Sequence, residues 1–399
     1  MRGIVESSDR VRVTAGAGAT AAAFTRFPRG DRPLVIRDAA VSHEGLALPR
    51  DAIDVPLEAA AVDSAMIGTL VAAGRGATSI VSLGGGSVMD AAKIVRMLLV
   101  TPQLTGPLQS LARRSGLVRV PELLVRRGPD LPLLLISTTF GTGTETSRVA
   151  CLATSWGRRL LSGSRLQADG AVLDPVHTAT LPRMLQGEGL MEVILRVLGP
   201  AAGSAPSLAA DHDARGIVMA AAGLAEQLRA GRLSPEQRLF ASQLSAATHR
   251  SWALVGRRTY AAPHWYLANE LSWETGTRKI PATLAIVPAI WRRIIDGDTR
   301  WGAPERLAMC WTWIREAVPG LPEDANDGLI ALRSRWGLQT ISAPAPAVLD
   351  AVVERCLASW GAPLPALGRL DRDAVASIFA ESFDGSAIRS RQGEEVMGR

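Results

Sequence analysis

The sequence predicts an α/β fold, a parallel-sheet domain followed by an all-helical one. Three observations predict it. Short apolar runs alternate with helical patterns through the first half. A glycine turn, "SLGGGSVMDAAK" (82–93), joins one such run to one such helix. From about Leu181 the patterns are long and helical. Strands alternating with helices imply a parallel sheet covered on both faces.

In order, "RPLVIRD" (32–38) reads as a buried strand and "LEAAAVDSAMIGTLVAAG" (57–74) as a helix stopped by Gly74. "TSIVSL" (78–83) is a strand, "SVMDAAKIVRMLLV" (87–100) a helix and "LPLLLIST" (131–138) another buried strand. Segment 102–130 has weak periodicity and reads as an excursion from the sheet. Pro175 and Pro182 punctuate "AVLDPVHTATLPRM" (171–184), so the expected domains are 1–182 and 183–399. Long helices are expected at 207–230, 235–256 and 302–318. The polar end, "RSRQGEEVMGR", is expected to fray.

A chain of 399 residues, 47% hydrophobic and 21% charged, can fill two cores. The net charge of +6 comes without a basic block interleaved with aromatics, which argues against nucleic acid. An anionic cofactor or substrate accounts for it equally well. Cys151, Cys310 and Cys356 lie far apart, which argues against a disulfide framework and a zinc cluster. The N-terminus has no signal-peptide pattern, and no apolar run reaches the roughly 18 residues of a membrane span. A cytoplasmic chain with reduced thiols is expected. Of 44 basic residues only Lys93 and Lys279 are lysines; arginine-rich coding accounts for the rest.

A glycine-rich turn from strand to helix brings backbone N–H groups and a helix N-terminus up to a phosphate. Gly84, Gly85 and Gly86 would line a pyrophosphate, with Ser87 adding a hydroxyl. A tight turn without ligand is the plainer reading, since this is not the G-x-G-x-x-G pattern. A second strand ends in "ISTTFGTGTETS" (136–147), where Thr138, Thr139 and Thr142 offer hydroxyls. Asp38 ends an earlier strand, where a carboxylate accepts from ribose hydroxyls or merely caps. Three strand ends carrying polar groups mark the edge where such a sheet binds ligands.

"GGGSVMDAAK", "STTFGTGTE" and "AVLDPVHTATLP" together resemble three signature stretches of the iron-containing (group III) alcohol dehydrogenases of the dehydroquinate-synthase-like fold. "IPATLAIVPAI" (280–290) and "LPALGRLDRDAVASIFAESF" (364–383) extend the resemblance over nearly the whole chain. It implies an N-terminal nucleotide-binding domain, a helical catalytic domain, and chemistry in the cleft between them. It adds Asp90, the acidic position of the first motif, to the cofactor-binding set. By the same resemblance Asp38 favours NAD, while the adjacent Arg37 keeps NADP open.

The family pattern breaks at the metal. Its Asp, one helical turn from a His, falls on Glu192 and that His on Arg196; the last His falls on Lys279. The third falls on Trp265, or on His264 with a slip of one. Arginine stays protonated and cannot ligate a metal, so no metal is expected. Glu192 and Arg196 read plainly as an i,i+4 pair, and His264 plainly as a packed residue. The other histidines, His43, His177, His212 and His249, suggest no pairing. Lysine can lose a proton where arginine cannot. Lys279, its pKa lowered by burial beside Arg196, is therefore the expected base for the alcohol proton. Arg196 would be left to grip a substrate carboxylate and His264 to shuttle a proton.

That set suits a β-hydroxy acid whose keto product loses CO₂. A narrower resemblance is to the metal-poor members of this family in daptide-type peptide biosynthesis, which implies the C-terminal threonine of a precursor peptide. Expected partners are an alcohol or peptide substrate, a leader-peptide-binding protein and further copies of the chain, with no nucleic acid and no membrane. The tryptophans beyond residue 250 are read mainly as core. Alternatives are a non-catalytic nucleotide-binding subunit, a small-molecule alcohol dehydrogenase, and a lyase or cyclase of the dehydroquinate-synthase kind.

Overall fold

The structure, a computed structural model, describes residues 11–28, 30–42, 46–59, 62–120 and 131–383. His43, most of the amino-terminal stretch, residues 121–130 and the polar carboxy-terminal stretch lie outside them. The chain divides into two units, one of residues 1–190 with 232–251, the other of 191–231 with 252–399. The expected boundary at 182 therefore falls short of the observed one, and one long helix of the second half goes with the first unit.

The first unit holds β1 (Arg12–Ala15), α1 (Ala19–Arg26), β2 (Pro33–Asp38), β3 (Ile53–Leu57), α2 (Ser64–Ala73), β4 (Ser79–Gly84) and α3 (Gly86–Val100). It continues through α4 (Thr105–Arg114), β5 (Leu117–Arg119), β6 (Leu133–Ser137), β7 (Val149–Thr154), β8 (Gly157–Ser162) and β9 (Gly170–Leu173). Six strands form one parallel sheet in the order β1-β9-β6-β4-β2-β3. Successive side chains of a strand point to opposite faces. Thus Leu34, Ile36 and Ile80 join α2 and α3 on one side, and Val35, Val81 and Leu83 join α1 on the other. Burial on both faces explains the unbroken apolar runs.

Segment 102–120 does leave this sheet: β5 pairs with β8 in a separate sheet of order β5-β8-β7. The expected helix at 57–74 is corrected. Leu57 ends β3, and α2 begins at Ser64, where Asp63 accepts from the N–H groups of Ala65 and Met66. Pro56 within β3 is tolerated because β3 pairs only with β2, at the sheet edge.

Lys93 explains itself by packing. It is wholly buried on α3, and its ammonium donates to Ser147 O and Oγ (both 3.1 Å) and to Val149 O (2.9 Å). It staples the loop after β6 to α3. Burial lowers its pKa to about 8, against the opposing pull of Asp90 and Glu145.

Among the described residues the second unit is all helical: the end of α5 (Arg183–Ala202), α6 (Leu208–Ala230), α8 (His264–Glu274), α9 (Lys279–Ile295), α10 (Pro304–Ala317), α11 (Ala325–Arg335), α12 (Pro346–Trp360) and α13 (Arg372–Phe383). The intervening helix α7 (Pro235–Arg250) belongs to the first unit. Most expected helix bounds shift by a residue or two, but α7 stops at Arg250, short of 256. The tryptophans serve largely as core, with Trp291, Trp301, Trp311, Trp313 and Trp360 buried. Fully buried Glu270 on α8 accepts from Trp360 Nε1 (2.9 Å) and pairs with Arg355 (3.0 Å), fixing α8 to α12. No described helix is long and apolar enough to cross a membrane.

Lys93→Met leaves the Ser147 and Val149 carbonyls without their donor and should cost about 1–3 kcal/mol in thermal or denaturant unfolding. The pH dependence carries a second signature. Between about 8, where folded Lys93 loses its proton, and 10.5, where the unfolded residue does, the unfolded chain binds the extra proton. The lysine's contribution to stability therefore rises with pH across that window. The variant should lack this rise; an unchanged profile would contradict the assignment.

Candidate functional site

The first constellation lies at the C-terminal ends of β2, β4 and β6. Gly84 closes β4 opposite Ser137 of β6, and the Thr138 N–H donates to its carbonyl (3.1 Å). Gly85 is the N-cap of α3 and supplies no side-chain cap. The first helical bond runs from Met89 N–H to Gly85 O. The N–H groups of Gly86, Ser87 and Val88 thus have no partner within the helix, and Ser87 is exposed. A Cβ on Gly85 would stand 3.2 Å from Thr139 Cγ2, and one on Gly86 3.0 Å from Thr142 Cγ2. The structure therefore brings Gly85, Gly86, Ser87, Thr139 and Thr142 together around an uncapped helix start; Thr138 beside them is buried. This geometry fits a dinucleotide pyrophosphate.

Sequence reasoning missed what holds the threonine loop in place. Ser245 Oγ on α7 accepts from Gly141 N–H (2.8 Å) and Gly143 N–H (3.0 Å), and His249 Nε2 lies 3.3 Å from Thr142 O. Gly141 has φ +115 and comes so close to Gly189 that a Cβ would lie 2.7 Å from its Cα. The sequence signal was the pair of loop glycines; nothing local pointed to Ser245, about a hundred residues away.

Asp38 stands at the end of β2, its Oδ1 accepting from Ala40 N–H (3.0 Å). Arg37 points away from the role considered for it. Its guanidinium forks onto Asp54 of β3 at 2.9 to 3.1 Å, which commits it to a neighbouring strand and not to a ribose phosphate. Asp90 is also placed differently from expectation. Its Oδ2 accepts from Cys151 N–H (2.8 Å) and its Oδ1 faces Lys93 (3.9 Å), so it ties α3 to β7.

The second constellation lies wholly in the second unit. Glu192 and Arg196 sit one turn apart on α5, His264 and Trp265 open α8, and Lys279 opens α9. Arg196 Cζ lies over the Trp265 ring at 5.8 Å from its centroid, and Lys279 Nζ over the same ring at 5.1 Å. The His264 ring is 4.9 Å from that of Trp265 and packs on Gly199 of α5, where any Cβ would strike it. All the positions matched to the metal ligands are thus gathered. Trp265, the in-register residue, sits among the cations; His264 is buried beside it.

Arg196 has a partner in the fold: its Nη2 donates to Glu192 Oε1 at 2.5 Å. His264 is 4% exposed with no hydrogen-bond partner at Nε2. Burial, with the nearby Lys279 charge, pushes its pKa down to about 3, so it is neutral at ordinary pH. A divalent ion does not fit this set. Arginine has no lone pair to give, a lysine ammonium repels the ion, and an indole is no ligand. Among the described residues no group of three His, Cys, Asp or Glu could hold a metal.

Comparisons with known proteins show what the chain is similar to. Residues 56–175, which include both loops of the first constellation, match the family model of iron-containing alcohol dehydrogenase. The probable alcohol dehydrogenase EutG of Escherichia coli strain K12 is 37% identical over 109 residues, 27% of this chain and 25% of that protein. The 4-hydroxybutyrate dehydrogenase of Cupriavidus necator is 32% identical over 176 residues, 41% of this chain and 43% of that protein. This chain thus matches less than half the length of either relative. The iron-containing alcohol dehydrogenase of Thermotoga maritima superposes with a TM-score of 0.74, covering 96% of this chain and 100% of that one at 18% identity. At that identity the fold is what is shared.

Gly85→Val places a branched side chain against Thr139 at the open helix start. It should weaken NADH binding at least about tenfold, since a charge-assisted hydrogen bond is worth about 1.5–3 kcal/mol. Fluorescence titration checks this, and parental affinity would show that the cradle is misassigned.

Proposed function

We propose that the chain is an NAD-dependent oxidoreductase that oxidises a secondary alcohol without a metal, Lys279 serving as the base. One observation carries the reading: where the resembled family holds its metal, this chain gathers Lys279 and Arg196 over one indole. The uncapped start of α3 supports dinucleotide binding. The Arg37–Asp54 fork, which leaves Asp38 as the group at the strand end, supports NAD over NADP.

A bound nicotinamide dinucleotide supplies the hydride acceptor. The chain's own residues handle the proton. Neutral Lys279 takes it from the substrate hydroxyl, and the resulting ammonium hydrogen-bonds the new carbonyl oxygen. His264 stays neutral through this and adds no charge. Glu192 holds Arg196 by one arm, which limits the excess positive charge of the cluster.

The substrate we propose is a β-hydroxy acid, in particular the C-terminal threonine of a precursor peptide, with loss of CO₂ from the keto acid. This finer reading rests on two supports. One is the Arg196 guanidinium, which has one arm on Glu192 and lies over the same indole as Lys279. The other is a relative named for 4-hydroxybutyrate, a hydroxy acid with its hydroxyl at the γ carbon, which supports a carboxylate-bearing alcohol and not the β position. A leader-peptide-binding protein and self-association complete the proposal, in a cytoplasmic setting.

Lys279→Arg separates charge from proton transfer. With NAD and 3-hydroxybutyrate, N-acetylthreonine or a threonine-ended peptide, the variant should lose on the order of 10²–10⁴ in turnover with cofactor affinity nearly unchanged. The parent's rate should rise with pH along a limb that the variant lacks. An arginine variant with the parental rate and the same limb would remove Lys279 from the chemistry.

A further inference from the structure

We infer that Trp265 is a positioning residue for Lys279, its indole face holding the amine in place; this rests on the reading of Lys279 as the base. A lysine at the first turn of a helix has four rotatable side-chain bonds and no fixed direction. Here Nζ lies 5.1 Å from the Trp265 centroid, within the range where a ring quadrupole attracts a cation. Trp265 is itself fixed. It follows buried His264, whose ring fills the space that Gly199 leaves open, and it lies on α8, which Glu270 anchors to α12.

The attraction has a direction that suits proton transfer. A π face attracts an ammonium more than a neutral amine. Its hold on Lys279 therefore strengthens as the proton arrives, and an interaction stronger after the step than before it lowers the barrier. Arg196, over the same ring, opposes that charge, and its own pairing with Glu192 moderates the opposition. The family resemblance has a metal organise these positions; here the indole does so.

The chain offers an unusually clean probe. It has two lysines, and Lys93 has no exposure at all, while Lys279 is only half-buried. Reductive methylation with ¹³C-formaldehyde should therefore mark Lys279 and the terminal amine alone. In the parent, the Lys279 methyl resonance should lie upfield, shifted by the ring current. Trp265→Leu should return it to the position of a free lysine, and Trp265→Phe should keep part of the shift. An unshifted resonance in the parent, or no change in the leucine variant, would overturn the inference.

Kinetics with NAD and 3-hydroxybutyrate give the second arm. Trp265→Leu should lower kcat about tenfold with KM little changed, and Trp265→Phe should restore part of the rate. In a Lys279→Arg background the leucine change should cost nothing more. An equal loss there would mean that Trp265 acts independently of Lys279. Should Lys279→Arg itself run at the parental rate, it is the base reading that fails, and the resonance still decides whether the ring holds the amine.

Discussion

One indole with two cations over it is the interaction on which the candidate active site depends. Trp265 has Lys279 at 5.1 Å and Arg196 at 5.8 Å, and these residues come from three separate helices. Two like charges near each other are costly unless something offsets them. The π face attracts both, and Glu192 pairs with one. That leaves Lys279 as the cation of the set able to give up its charge, because arginine cannot. On the proposed reading, chemistry at this arrangement moves a proton through Lys279.

The first unit depends on a different constraint, the approach of two loops to one helix start. The threonine loop comes so near the glycine turn that a Cβ on Gly85 or Gly86 would crowd Thr139 or Thr142. Lys93 holds that loop from beneath through Ser147 and Val149, and Ser245 holds it from α7 through Gly141 and Gly143. These bonds are buried, where an unmet polar group is expensive. The rigidity of the cradle thus comes from residues that need never touch a ligand.

Much of this was legible in the sequence because the signals were local. The strand–glycine–helix order at 82–93 and the i,i+4 spacing of Glu192 and Arg196 each fix a neighbour within a turn. The Asp63 cap is equally local, and it marks the start of α2 at Ser64. What was not legible required partners distant along the chain. Arg37 read as a ribose-phosphate candidate until Asp54 appeared on the next strand. Pro56 stands within β3, and a proline is tolerated there because the strand lies at the sheet edge. The resemblance placed Trp265 at a ligand position beside Arg196 and Lys279, but spacing alone does not show that its ring faces both cations.

The central claim is that this site works through an amine and an indole where the resembled family uses a metal. Elemental analysis of the protein, purified without chelator, tests it most directly. The account predicts well under one iron or zinc atom per chain, with alcohol-dependent NADH formation unaffected by a chelator. A stoichiometric metal whose removal abolishes activity would contradict it.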